Sequence, residues 1–257
     1  MSYSPPGPIF APGVIPDVKN LARVIHDDPQ AGLVKKWSYS TLKKFEQCPH
    51  AVYLAKVMKL PRLQHEAAGR GEAIHKKGED FITGVDDTFP IEYERAKTEI
   101  LRMRDAYLDG TCFVEDEWAF SIDYEPVGWD DPRGWCRMKL DVLEFADDTC
   151  AIITDWKTGR KFGNEMSHGQ QLQLYTIAAM IQYPALEYVR ATCQYLDRNE
   201  SPLIQEYTRA EAMSFRPRWT TRAVALTSTT QFPPKPSKSN CRFCDYRKEG
   251  CEWSECK

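Results

Sequence analysis

No apolar run in the sequence approaches the ~20 residues that cross a bilayer as a helix. A helical membrane span is therefore excluded. The opening stretch MSYSPPGPIFAPGVIPDVKN has neither the basic start nor the apolar core of a secretion signal. Its five prolines suggest an extended arm instead, and the expectation is an intracellular, cytoplasmic protein. There is no positive excess either: the net charge is -3 and the pI is about 6.0. This weighs against a protein that coats nucleic acid without discrimination, although a basic groove inside an acidic molecule stays compatible. Local candidates are Lys43 and Lys44, Lys76 and Lys77, Arg160 and Lys161, and the run Arg216, Arg218, Arg222, each read first as a solvated face. No internal repeat is present. The nine cysteines are an odd number, which with an intracellular setting argues against a disulfide framework.

What remains is a chain of 257 residues, 42% hydrophobic and 28% charged, long enough to bury a sizeable core. Residues 1–36 read as the proline-rich arm. SYSTLKKFEQCPHAVYLAKV opens with serines suited to an N-cap, and Pro49 breaks the helix it starts, leaving Cys48 at the break. Further helices are expected over 64–83 and 91–109, then strands over 113–123, 135–146 and 150–158. A helix over 167–182, strands over 187–197 and 202–207, a helix over 209–226 and a loop-rich tail from 231 complete the order. That order predicts an α/β fold, a mixed sheet flanked by helices.

AIITDWKTG, residues 151–159, ends a buried strand with Asp155 and Lys157 on the same face, since side chains alternate with period two. The preceding run MKLDVLEFADDT places a turn at Asp147-Asp148-Thr149. A three-residue loop sets Ala146 against Cys150 and, counting outward, Asp141 against Asp155. Two opposed carboxylates repel, and a divalent cation such as Mg²⁺ between them removes the repulsion. The plainer reading is two edge acids with Lys157 as partner. In GRGEAIHKKGEDF, Glu72, His75 and Glu79 share one helical face, and Gly69 and Gly71 permit close approach of the backbone. GQQLQLYTIAAM puts Gln171 and Tyr175 four residues apart on another helix.

These motifs, with SYSTLKKFEQCPHAVYL ahead of them, resemble in their order the RecB-like branch of the PD-(D/E)XK nucleases, which includes the Cas4- and AddB-type iron–sulfur exonucleases. The resemblance runs from Ser38 to Cys251. One position departs from the pattern: where a glycine often lies three residues before the first aspartate, this chain has Met138. The resemblance implies a restriction-endonuclease-like core at 111–230 within a single nuclease domain, 37–257, preceded by a helical part at 37–110 and followed by a cysteine-rich tail at 231–257. It implies Mg²⁺ or Mn²⁺ bound by His75, Asp141, Asp155 and the backbone carbonyl of Trp156. Lys157 would stabilise charge in the transition state, Gln171 and Tyr175 would orient the site and the strand, and Glu72 or Glu79 would hold metal-bound waters. The expected activity is hydrolysis of DNA phosphodiester bonds by an exonuclease acting on single-stranded or resected ends in recombination, replication or repair. The compact form also suits a viral protein acting in the host cytoplasm. The alternatives are a non-catalytic nucleic-acid-binding module on a nuclease fold, or a DNA endonuclease with a structural zinc site.

Four cysteines, Cys112, Cys136, Cys150 and Cys193, stand singly in strand-like surroundings and read as small buried hydrophobes. CRFCDYRKEGC places Cys241, Cys244 and Cys251 at ligand spacing. Taken alone, these three with Cys256 suit a tetrahedral Zn²⁺. The resemblance instead implies a [4Fe-4S] cluster held by Cys48, Cys241, Cys244 and Cys251, with a last spacing of six residues in place of the family's usual five.

Overall fold

The computed structural model describes residues 32–61, 66–197, 199–247 and 250–255. Most of the expected arm, and Cys256, lie outside them. Helix α1 (Tyr39–Gln47) starts where the Ser38 side chain accepts from the Thr41 amide. It stops at Cys48, whose extended backbone hands over to α2 (Pro49–Val52), with proline in the first turn, where its missing N–H costs nothing. A π-helical turn, Tyr53–Val57, continues it. Helix α3 (Glu66–Thr83) follows, then a 3₁₀ segment (Ile91–Ala96) leading into α4 (Lys97–Leu108).

Next come β1 (Cys112–Phe120), β2 (Pro126–Val127), β3 (Cys136–Phe145) and β4 (Cys150–Lys157). Helix α5 (Glu165–Gln182) crosses to β5 (Tyr188–Tyr195), which pairs with β6 (Leu203–Thr208). The sheet runs β2-β1-β3-β4-β5-β6, antiparallel except for β4 with β5. The expected helix over 209–226 is two, α6 (Arg209–Ser214) and α7 (Arg216–Ser228). Pro217 explains the break, because it lacks an N–H and disfavours helical backbone in the residue before it. The tail also carries a short helix, α8 (Lys238–Arg242), capped by Ser237. No described helix is long and apolar enough to cross a membrane.

The sheet separates two apolar clusters. The larger joins α1, α5 and α7 to the sheet through residues such as Leu42, Leu172, Ile177 and Trp219. Each fully buried Leu or Ile contributes about 1.5–3 kcal/mol, so packing holds α5 in place more than intrinsic helix propensity does. The smaller cluster joins α3, the 3₁₀ segment and α4 to Val142, Trp156 and Leu196. Strict alternation reverses along β1 and β3. Cys112 and Val114 pack with the smaller cluster, while Trp118 and Phe120, also even-numbered, pack with the larger. Val142 and Leu140 divide the same way. The reversal falls at Glu115 and the residue across from it, Asp141.

Candidate functional site

The β3–β4 hairpin pairs Val142 with Thr154 and Phe145 with Ala151, and the Ala146 amide donates to the Cys150 carbonyl at 2.9 Å. One further step sets Asp141 opposite Asp155, the register expected from a three-residue loop. Ladder pairing ends there. The Trp156 amide, whose ladder acceptor would be the carbonyl of Leu140, donates instead to Asp141 Oδ2 at 2.7 Å. The two strands diverge and open the floor of the site between them. A strand residue's N–H and C=O point to the same edge, so the Trp156 carbonyl also faces Asp141. Met138 leaves the strand intact: it pairs with Trp118, and its side chain is buried.

On the far side of Asp141, β1 keeps its register with β3 on both sides of Glu115. Glu115 itself has φ 55°, a left-handed conformation costing about 1–3 kcal/mol in a residue other than glycine. His75, from α3, closes the group. One ligand atom each from His75, Glu115 and Asp141 lie within 4.8 Å of one another, and His75 Nδ1 is 3.4 Å from Asp141 Oδ1. Burial alone would lower the His75 pKa, but the hydrogen bond and charge of Asp141 outweigh it and hold it above the usual value. Glu115 is a candidate ligand that sequence reasoning missed.

Asp155 does not join that set. It is buried, its Oδ2 lies 2.5 Å from Lys157 Nζ, and it accepts a long contact of 3.5 Å from the Cys193 thiol. Burial pushes its carboxyl pKa up against the pull of Lys157. Burial also disfavours the Lys157 charge, but Asp155 and Asp141 together overcome this and hold the ammonium above its ordinary value. Lys157 Nζ donates to Gln171 Oε1 at 3.1 Å, and Gln171 Nε2 donates to the Tyr175 hydroxyl at 2.8 Å. The shared helical face expected for Gln171 and Tyr175 is thus turned onto the strand end. Glu72 and Glu79 both line the cleft beside His75, where Glu79 is 3.1 Å from Lys76 Nζ.

Packing behind the site is close. A Cβ at Gly71 would come 3.1 Å from Thr158 Oγ1, and one at Gly78 would meet the Tyr93 hydroxyl at 2.3 Å, whereas Gly69 faces open space. Tyr93 donates to the Ile74 carbonyl at 3.2 Å and packs edge-on against Trp156 at 5.0 Å, so α3 is seated directly against the strand.

Two clefts meet at this point. One, about 420 Å³, is lined by Gly71, Glu72, His75, Lys76, Glu79, Glu115, Lys139 and Asp141. The other, about 590 Å³, includes Lys43, Lys56, Arg137, Lys139 and Lys157 in its lining, and no acidic residue. Lys139 belongs to both. The site is polarised: the first cleft holds the carboxylates, with Lys76 beside Glu79 and Lys139 at 2.7 Å from Glu115 among them, and the second holds cations without a carboxylate.

A third cavity, about 120 Å³, brings together Cys48, Cys241, Cys244 and Cys251. Among the described residues no three of these sulfurs lie within 4.8 Å of one another. Tetrahedral zinc, with Zn–S of about 2.3 Å, draws its sulfurs to roughly 3.8 Å apart. Of the four single cysteines, Cys112, Cys136 and Cys193 are buried as expected, but Cys150 is only half-buried.

Two solved structures resemble the whole chain at low identity. The crystal structure of SSO0001 is 14% identical with a TM-score of 0.42, covering 91% of this chain and 94% of its own. A "Putative exonuclease" from Eubacterium rectale is 13% identical with a TM-score of 0.44, covering 93% and 92%. No curated protein matches. Residues 137–249 match the model of the PD-(D/E)XK nuclease superfamily, a span that holds Asp141, Asp155, Lys157, Gln171 and Tyr175. Over residues 137–249 the chain is similar to the PD-(D/E)XK nuclease superfamily.

Proposed function

We propose that this protein is a PD-(D/E)XK nuclease, a divalent-metal-dependent DNA exonuclease acting on single-stranded or resected ends, in recombination, replication or repair. The observation that carries the reading is the meeting of an acidic and a basic cleft over the diverging strands. A phosphodiester lying across that boundary has carboxylates and His75 on one side and Lys157 on the other. His75, Glu115 and Asp141 form a hard oxygen and imidazole set that fits Mg²⁺ or Mn²⁺, and Asp155 and the Trp156 carbonyl are the further ligands that the family resemblance implies. Residues His75, Glu115 and Asp141 would hold the ion, which would supply Lewis-acid polarisation of the phosphate and a lowered pKa for a water.

The chain's own residues supply the rest. Lys157 places a fixed positive charge beside the reacting phosphate, where negative charge develops in the transition state. Gln171 holds the Lys157 ammonium in position, and the buried Tyr175 hydroxyl holds Gln171 in turn. Asp155 is the counter-charge that keeps Lys157 protonated in a dry setting. Glu72 and Glu79 stand on the cleft wall, placed to hold metal waters. Incubation with end-labelled single- and double-stranded DNA in Mg²⁺ or Mn²⁺ tests the reading. Short products released from the ends of linear strands are expected, with closed circular single strands left intact. Cutting of the circles would replace the exonuclease with an endonuclease.

The cysteine quartet is proposed as the seat of a [4Fe-4S] cluster, supported by the cavity that all four cysteines line. Its role is structural, tying position 48 to position 241. Protein purified without oxygen should be brown and contain iron and sulfide, and Cys48→Ala should bleach it. A colourless, zinc-loaded protein would show the alternative.

A further inference from the structure

The basic cleft includes Lys43, which the reading above leaves without a role. Lys43 is half-buried on α1, and its Nζ donates to Ser167 Oγ at 2.6 Å. No ion pair joins it to a carboxylate among the described residues, whereas its neighbour Lys44 is 2.5 Å from Asp245. A partly desolvated cation without a counter-ion is costly unless an anion completes it. Burial, then the charge of Lys157, lowers the Lys43 pKa, which places the two ammonium groups near each other. Both line the same acid-free cleft.

Their anchors give the spacing. Ser167, which holds Lys43, and Gln171, which holds Lys157, both stand on α5, four residues apart. Four residues rise ~6 Å along a helix, the scale of one phosphate-to-phosphate step on an extended nucleic-acid strand. The sequence also places Ser38 and Ser40 beside Lys43, and both line the cleft.

We propose that Lys43 and the Ser167 hydroxyl form a second phosphate subsite, which holds the phosphodiester one nucleotide along a single DNA strand from the one at Lys157. The inference rests on the reading that the substrate strand lies across Lys157. Lys43 is a positioning residue: it fixes the register of the strand and takes no part in the bond change.

The test is binding of a short 5′-fluorescein-labelled single-stranded oligodeoxynucleotide by fluorescence anisotropy, in EDTA so that no cleavage occurs, across a range of salt. Lys43→Ala should weaken binding about tenfold and make the plot of log K against log salt shallower by about 0.7, the increment for one phosphate contact on a single strand. Ser167→Ala should weaken binding less and leave the slope unchanged, and Lys43→Arg should restore the slope. Lys97→Ala, exposed outside the cleft on α4, is the control and should leave both unchanged. In steady-state cleavage, Lys43→Ala should raise KM more than it lowers kcat. Wild-type affinity and slope in a folded Lys43→Ala protein would overturn the subsite, whether or not the DNA is cleaved. A protein that cleaves no DNA but still loses salt slope in Lys43→Ala would overturn the exonuclease reading and keep the subsite.

Discussion

Removing Asp155 alone should destabilise this protein more than removing Asp155 and Lys157 together. Asp155 is 2% exposed, and Lys157 points its ammonium at it across 2.5 Å, with the Gln171 amide oxygen as its other acceptor. Asp155→Ala leaves that ammonium, on a side chain only 20% exposed, with one neutral hydrogen-bond acceptor and Asp141 as its remaining charged neighbour, and one-sided loss of a buried pair costs up to about 3–5 kcal/mol. Lys157→Met is less severe, because Asp155 can escape by taking a proton. Its folded pKa is already above the unfolded value, so the folded state binds the extra proton between the two. Stability of that variant should therefore be full at acid pH and fall as pH rises through the folded pKa. Asp155→Ala with Lys157→Met removes both charges, and replacing a buried pair by apolar groups is often neutral or stabilising. A coupling of roughly 2–3 kcal/mol is expected. Urea unfolding in EDTA, followed by tryptophan fluorescence, measures it. Simple additivity of the two single losses would refute the reasoning. Because a domain's whole stability is about 5–15 kcal/mol, an inactive Asp155→Ala protein counts as catalytic evidence only once it is shown to be folded.

Glu115→Gln should weaken Mn²⁺ affinity roughly 10–100-fold, the range seen when metal-site residues are altered, and calorimetric titration of Mn²⁺ checks it; unchanged affinity would remove Glu115 from the metal set. Gly78→Ala should lower stability by about 1–3 kcal/mol, because the new methyl drives into the Tyr93 ring, and a thermal melt equal to wild type would contradict that contact. Burial, then Lys157 and Lys43, holds the His168 pKa at about 4, below its unfolded value of 6.5. The unfolded chain therefore takes up the proton first as pH falls, and this contribution is present above 6.5 and lost toward 4. His168→Phe should flatten the dependence of the urea midpoint on pH in that window.

Much of the site was legible because it depends on local rules. The turn at 147–149 set the strand register, and the Gln171–Tyr175 spacing set a helical face. Glu115 was not legible, for two reasons. It opens a run of three acids, Glu115, Asp116 and Glu117, and alternation reverses at that very position, so period-two counting has no fixed origin. Lys43 and Lys44 are adjacent on one helix and identical in sequence terms; only the tertiary setting sends one to Ser167 and the other to Asp245. The two-residue β2 and the parallel bridge of Trp37 to Cys136 are too short to leave a pattern. Pro217, by contrast, was a visible signal for splitting the helix over 209–226.

Helix α1 is held by partners far along the chain. Arg222 grips Glu46 through two bonds of 2.7 and 2.8 Å, Asn240 Nδ2 donates to the Gln47 carbonyl at 3.0 Å, and Lys44 meets Asp245. During synthesis at about 5–20 residues per second, the helix carrying Lys43 leaves the ribosome many seconds before Arg222, Asn240 and Asp245 exist to clamp it. The strand pair Asp141–Asp155 can close earlier, from contacts fourteen residues apart. A nascent chain can thus assemble its carboxylates before the helix that carries Lys43 has received its last clamps, which come from the region beyond residue 222.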